Sequence, residues 1–415
     1  MRFHTGRLVT VASLAILLSY VILVAAHIDW TALPNFAAFY VMAKALGAGG
    51  LGAAHQMYSL AFQLRAATFL SNPRLGAFVV PFVNPPPAAL VVIPFTALPL
   101  WPAFFVWDGI CLALCLIGTV WLARQERLGR DALPLALAIV ASYPTYTALG
   151  LGQYDLLWPL CLALFTAAWT SSSRWLRWTQ TAGSALIFTF KPDLLILLVV
   201  PAVANWRRTT VQIALACLLV LAAASIAAVG ILGLLRLPKI ESYTLFTRFP
   251  PTLDENMLGI FWRVLGPGHL AEDLAFAAIG VALLALSLAW LRNPPRSGAD
   301  WKLALTSTFC LSVLVAPHAL NHDFLLLAGP VVWSAGTLRG ASRDLRWLAV
   351  WIVLFNLASI LDDAPGVTLP IPLVPLVLFA ASIAAWRARR TLVPRQVAAT
   401  DAQPAPRIGE SLSAN

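Results

Sequence analysis

Apolar residues dominate this chain in long blocks, and the polar positions fall between the blocks rather than alternating within them. Leu8 to Ala26 carries no charge at all. Blocks of that length predict membrane-crossing helices, since about 20 apolar residues span a bilayer core. Strand-like alternation over about ten residues is absent, which argues against an outer-membrane barrel. Leu8–Ala26 reads as a retained first helix rather than a cleaved signal.

Arginine breaks the blocks at Arg2/Arg7, Arg124/Arg127/Arg130, Arg174/Arg177, Arg207/Arg208, Arg292/Arg296/Lys302, Arg339/Arg343/Arg346 and Arg387/Arg389/Arg390. The positive-inside rule puts these connectors in the cytoplasm. Each pair of neighbouring clusters then encloses one excursion to the far side. Residues 131–173 turn at Gly150-Leu-Gly-Gln-Tyr-Asp155. Residues 178–206 are too short for two full spans, which predicts two short helices meeting within the membrane near Lys191-Pro-Asp193. Residues 209–291 form two helices around a polar loop at 236–271. Residues 303–338 turn at Pro317-His-Ala-Leu-Asn-His-Asp323, and 347–386 at Asp362-Asp363. Within 87–123, Pro94 and Pro99 suggest a half-helix over 87–100 before a full span. The expected fold is all-α: a polytopic transmembrane bundle of about 10–13 helices, some broken. One domain covers 1–390, and 391–415 is a polar, disordered cytoplasmic tail.

The segment 27–84 is too long for a simple loop. Asn35 to Leu46 predicts a short helix with Phe36, Phe39, Tyr40 and Ala43 on one face, ended by Gly47, Gly49 and Gly50. Met57 to Phe69 suggests a second, and both suit the membrane interface. Asn84-Pro-Pro-Pro87 is a rigid lead-in to the next helix.

Composition changes the picture little. Of 415 residues, 60% are hydrophobic and 11% charged, less than half the charge a soluble domain carries. The net charge of +10 is spread over the connectors, so nucleic acid is not expected as a partner. The five cysteines, Cys111, Cys115, Cys161, Cys217 and Cys310, all sit in apolar runs and read as small buried hydrophobes.

The chemically capable residues gather in the far-side turns: Asp29, Asn35, Tyr40, Asn84, Gln153, Asp155, Lys191, Asp193, Glu241, Arg248, Asp254, Glu255, His318, Asn321, His322 and Asp323. An ionisable group within membrane depth is costly and marks function by default. Lys191 and Asp193 stand at a helix break, where they bind substrate or simply pair with each other. His318 and His322 lie four apart with no third ligand evident and Asp323 directed elsewhere. Hydrogen bonding or phosphate contact suits them better than a metal. No metal or cofactor is expected, and a divalent ion stays open. Asp108, inside an apolar run, suits a structural partner as well as a substrate contact.

Taken in order, these pieces resemble glycosyltransferase family 87 of the GT-C superfamily. The resemblance rests on Asn35-Phe36-Ala-Ala-Phe39-Tyr40-Val-Met-Ala43, Tyr58, Asn84-Pro-Pro-Pro, Ile93-Pro94, Gly150-Leu-Gly152-Gln153, Lys191-Pro192, Asn205-Trp206-Arg207-Arg208 and Ala316-Pro317-His318 leading to His322-Asp323. It spans roughly residues 8–340. It implies a GT-C-like membrane enzyme moving a sugar, mannose-like, from a polyprenyl-phosphate donor to a lipid or glycan acceptor. The chemistry would lie on the periplasmic face of a bacterial inner membrane. An acidic base in the first outer loop is also implied. Here Asn35 stands where the family has Asp, and an amide accepts no proton near neutral pH. Asp29 is the substitute base, with Asp193 and an inactive chain as alternatives. Tyr40, Asn84, Gln153, Lys191, Asp193, Arg248, His318, His322 and Asp323 are the expected substrate contacts. A transporter or flippase of lipid-linked sugars, which also uses broken helices, is the competing reading, and a non-catalytic relative is a third.

Overall fold

A computed structural model describes residues 2–27, 34–66, 81–191, 200, 208–237, 257–266, 268–292, 295, 298–316, 320–338, 379, 381 and 382. Every regular element among them is helical, as an apolar chain with no bulk water to satisfy its backbone requires. Five helices are long and apolar enough to cross a membrane, or six if a bent pair counts as one span. They are α1 (Arg2–His27), α2 (Pro34–Ala54), α5 (Leu100–Gln125), α10 (Thr209–Val229) and α13 (His269–Arg292). The bent pair is α6 (Ala132–Val140) and α7 (Tyr143–Leu151), with Pro144 just past the bend.

The first outer segment differs from expectation. The regular helix of α2 breaks at Gly50, one of the three glycines expected to end it, and helical turns resume from there to Ala54. Every residue from Phe36 to Ala43 is buried, not only the predicted face. α2 therefore packs inside the bundle against α5, α7, α10 and the elements after Pro85, instead of lying on its surface. α3 (Leu60–Ala66) follows. The expected half-helix over 87–100 is two short pieces, α4 (Pro86–Leu90) and a 3-10 turn at Ile93–Ala97.

The middle of the chain forms the tightest unit. α8 (Trp158–Thr170) packs along both α5 and α9 (Arg174–Phe188). A Cβ at Gly118 of α5 would meet the backbone nitrogen of Leu160 at 2.2 Å. Only glycine permits that approach between α5 and α8. Later come α11 (Ile231–Leu234), α12 (Met257–Leu265), α14 (Gly298–Val315), a 3-10 turn at Asn321–Leu327 and α15 (Ala328–Leu338). α12 is a helix within what the sequence suggested was a polar loop. α1, α10 and α13 keep most of their apolar surface exposed, as lipid-facing helices do. All five cysteines are free, and four are buried. The predicted pair over 347–386 and the tail lie outside the described residues.

α8 is 13 residues long, about 20 Å at 1.5 Å per residue. Asp155 therefore lies at one end of the bundle and Ser171 at the other, and α9 returns from Arg174 to Lys191. α5, α14 and α15 run between the same two ends. Asn84, Gln153, Asp155, Lys191, His322 and Asp323 sit at the first end. Glu126, Arg174, Arg177, Arg208 and Lys302 sit at the second.

Candidate functional site

Three chain turns meet at the first end. The turn between α7 and α8 is closed by Gly152, whose left-handed backbone (φ 65) caps α7. That conformation suits glycine, and a Cβ there would meet Cβ of Phe36 at 2.6 Å. The turn thus seats directly against the start of α2, one residue from Asn35. The indole N–H of Trp107 donates to the Gly152 carbonyl at 3.0 Å and fixes it from α5. The second turn follows α9 and carries Phe190 and Lys191. The third is the 3-10 turn Asn321–Leu327, which packs on α7.

Lys191 and Asp323 form an ion pair across these turns. The second carboxylate oxygen of Asp323 accepts from the Leu320 backbone N–H at 2.8 Å. Beside them, Oδ1 of Asp155 accepts from Nε1 of Trp158 at 2.9 Å. Its Oδ2 lies 3.9 Å from Nε2 of His322 and has no conventional hydrogen-bond partner among the described residues. Asp155, His322 and Asp323 are buried, while the Lys191 side chain keeps 14% of its surface accessible. The cation is the member of the cluster that reaches outward.

Electrostatics separates the two carboxyl groups. Burial pushes Asp155 up, Lys191 opposes that, and neighbouring Asp323 adds to it, for a value of about 8. Burial works on Asp323 too, but Lys191 and then His322 outweigh it and hold that carboxyl below the usual range. The environment thus favours the protonated form of Asp155 and the ionised form of Asp323. Two carboxylates this close cannot both carry charge cheaply.

A hydrogen-bonding and aromatic surface adjoins the cluster. The Asn84 amide donates to the hydroxyl of Tyr154 and, at 3.4 Å, to the Phe190 carbonyl. The Tyr58 hydroxyl donates to the Asn84 carbonyl at 2.7 Å. The rings of Phe39, Tyr154 and Phe190 follow one another with centroids 5.4 Å apart. This chain of rings joins α2 to the residue before Lys191.

The structure sorts the sequence candidates. Asn84, Gln153, Lys191, His322 and Asp323 lie on the three turns or beside them. Asn35 starts α2, half-buried. Tyr40 turns away: its hydroxyl donates to the Leu98 carbonyl at 2.8 Å and its ring is buried, so it fixes α2 and offers no free group to a substrate. Lys191 pairs with Asp323; Asp193, the partner that the sequence suggested, lies outside the described residues. Asp323 does not point elsewhere but faces His322 and Asp155. Asp155, Tyr154 and Phe190 were not among the assigned site residues. An acidic residue at the apex of an apolar hairpin was the available signal for Asp155. Asp29, Asp193, Arg248 and His318 lie outside the described residues. Asp108 is buried in α5 with Oδ1 unpartnered among the described residues.

Ligand atoms of Asp155, His322 and Asp323 all lie within 4.8 Å of one another. Two carboxylates and an imidazole can serve a divalent ion. Here the Lys191 ammonium already pairs with Asp323, and burial favours the protonated form of Asp155. An incoming ion would have to displace both.

The sequence profile of glycosyltransferase family 87 matches residues 82–317. No curated protein and no solved structure matches the chain. The matched region contains Asn84, Gln153, Asp155 and Lys191. It begins after α2 and ends before His322 and Asp323.

Proposed function

Since this chain belongs to glycosyltransferase family 87 and is a multi-pass membrane glycosyltransferase, we propose that it takes its sugar from a polyprenyl-phosphate donor and uses Lys191 to hold the phosphate. The sugar is mannose-like, the acceptor is a lipid or glycan, and the chemistry occurs on the extracytoplasmic side of a bacterial inner membrane. The observation that carries this reading is the placing of Lys191. It is a fixed, partly accessible cation whose counter-ion comes from a different turn, next to an amide and an aromatic surface. Charge develops on the leaving phosphate, and a pre-oriented cation stabilises it without reorganisation. The Asn84 amide and the Tyr154 hydroxyl are hydrogen-bonding groups suited to sugar hydroxyls, and the neighbouring rings suit a sugar face.

In the reaction the acceptor hydroxyl oxygen bonds to the anomeric carbon as the bond from that carbon to the phosphate oxygen breaks. Both electrons of that bond leave with the polyprenyl phosphate. One in-line displacement inverts the anomeric centre. The hydroxyl proton passes to a base, for which Asp29 is the candidate and Asp193 the alternative. Asp155 does not suit that step, because burial favours its protonated form. His322 and Asp323 act by positioning Lys191, while Arg248 and His318 are further candidates for the phosphate.

The test uses purified protein, radiolabelled polyprenyl-phosphate sugars and membrane lipid acceptors. Wild type transfers label; Lys191→Ala and Asp29→Asn do not. Full transfer by both variants would remove these assignments. Donor binding by wild type without turnover identifies a non-catalytic relative. Accumulation of donor inside sealed vesicles without a covalent product identifies a transporter.

A further inference from the structure

The opposite end of the α8–α9 hairpin holds a second organised polar cluster. Nε and Nη2 of Arg177 donate to the Ser171 carbonyl at 3.3 and 2.8 Å. Two residues earlier, the Trp169 carbonyl accepts from Nη2 of Arg208 at 2.8 Å. The Arg208 guanidinium lies over the Trp169 ring, 3.9 Å from its centroid, and 5.3 Å from that of Trp301. The two indoles meet edge to face at 4.4 Å. Two guanidiniums thus converge on one short turn from different helices. Like charges brought together need an anion or a carboxylate between them. Among the described residues no carboxylate pairs with Arg174, Arg177 or Arg208. Burial and then the nearby Arg177 charge depress the Arg208 pKa.

The flank of this cluster is built for a bilayer surface. On the first turns of α9, Trp175 is 74% exposed, Trp178 42% and Leu176 49%. Tryptophan and arginine together at a helix end are the pattern of a membrane–water interface. The Arg208 guanidinium stacks on Trp169 and spends Nη2 on the Trp169 carbonyl, which leaves Nε and Nη1 for a phosphate. We infer that the α8–α9 turn binds the phosphate head group of an anionic phospholipid between Arg177 and Arg208, with Trp175 and Trp178 against its acyl chains. The site is at the far end of the bundle from Lys191. It follows from the membrane fold alone and does not depend on the donor chemistry proposed above.

The test is lipid retention by the full-length protein in neutral detergent, read by native mass spectrometry and by thermal unfolding. Phosphatidylglycerol, phosphatidylcholine and inorganic phosphate are added separately. Phosphatidylglycerol is expected to be retained in preference to phosphatidylcholine and to raise the unfolding temperature. Removing each arginine should weaken retention about fivefold, the worth of one basic residue at an anionic surface. Arg177→Gln leaves the Arg208–Trp169 stack intact, so it carries the test should Arg208→Gln fail to fold. Equal retention of both lipids overturns the inference, as does undiminished phosphatidylglycerol binding by Arg177→Gln. The same stabilisation by inorganic phosphate overturns the lipid assignment and identifies a free-anion site.

Discussion

Among the described residues, two lysine–carboxylate pairs join parts of this bundle, one at each end, and they do different things. Lys302 meets Glu126 at 2.6 Å, joining the end of α5 to the start of α14. Glu126 is buried beneath Gly336 of α15, where a Cβ would meet its Oε2 at 2.3 Å. This is a lock: one cation and one anion, with a third helix packed over them. Lys191 and Asp323 form the same bond, but an extra carboxyl, an imidazole, an amide and three rings surround it. A pair that only holds helices together needs none of these. Surplus buried polar groups, each costly to desolvate, distinguish the site from the lock.

That contrast can be broken by experiment. The largest effect is expected at Lys191: Lys191→Ala should lower transfer by about a hundred- to a thousandfold, the scale of losing one fixed stabiliser of developing charge. Its thermal stability should change far less than its activity. A variant that lost fold and activity in parallel would make Lys191 a second lock. Lys302→Ala should do the reverse. It strands a buried carboxylate, at about 3 kcal/mol, visible as a lower unfolding temperature, while kcat of the surviving folded protein is unchanged.

Asp155 gives a subtler distinction through pH. Its carboxyl is raised by burial from 3.8 to about 8, so the folded state holds a proton that the unfolded chain releases. Stability from this group is fully present below pH 3.8 and is lost as pH rises toward 8. Asp155→Asn mimics the protonated form and should flatten that decline in unfolding temperature. An unchanged pH profile would show that the proton is not held there. The smallest effect is expected at Tyr40. Tyr40→Phe removes one hydrogen bond to Leu98 and should cost about 1 kcal/mol of stability, with the transfer rate unaltered. A loss of transfer would return Tyr40 to the substrate.

Much of the architecture was legible before any coordinates. Leu8–Ala26, the arginine-rich connectors and the proline-broken run after Asn84 report their own structure, because bilayer thickness fixes the length of each apolar block. The end of α2 was legible only in part. Three glycines close together read as a stop, and the regular helix does break at Gly50, but a further helical turn through the exposed stretch to Ala54 was not foreseen. The partner of Tyr40 was not legible for a related reason. Its place on the helix face was evident, but the partner of its hydroxyl lies 58 residues away.

The sequence by itself determined that this protein is an all-helical membrane bundle of the family it resembles. Its order of apolar blocks and charges also determined which turns share an end, since each helix reverses the chain. Which side chains meet within that end was decided only by tertiary structure. Lys191 and Asp323 are 132 residues apart, and no periodicity relates them. Asp155 became part of the site because two separate turns close over it and bury its carboxyl, which raises its pKa.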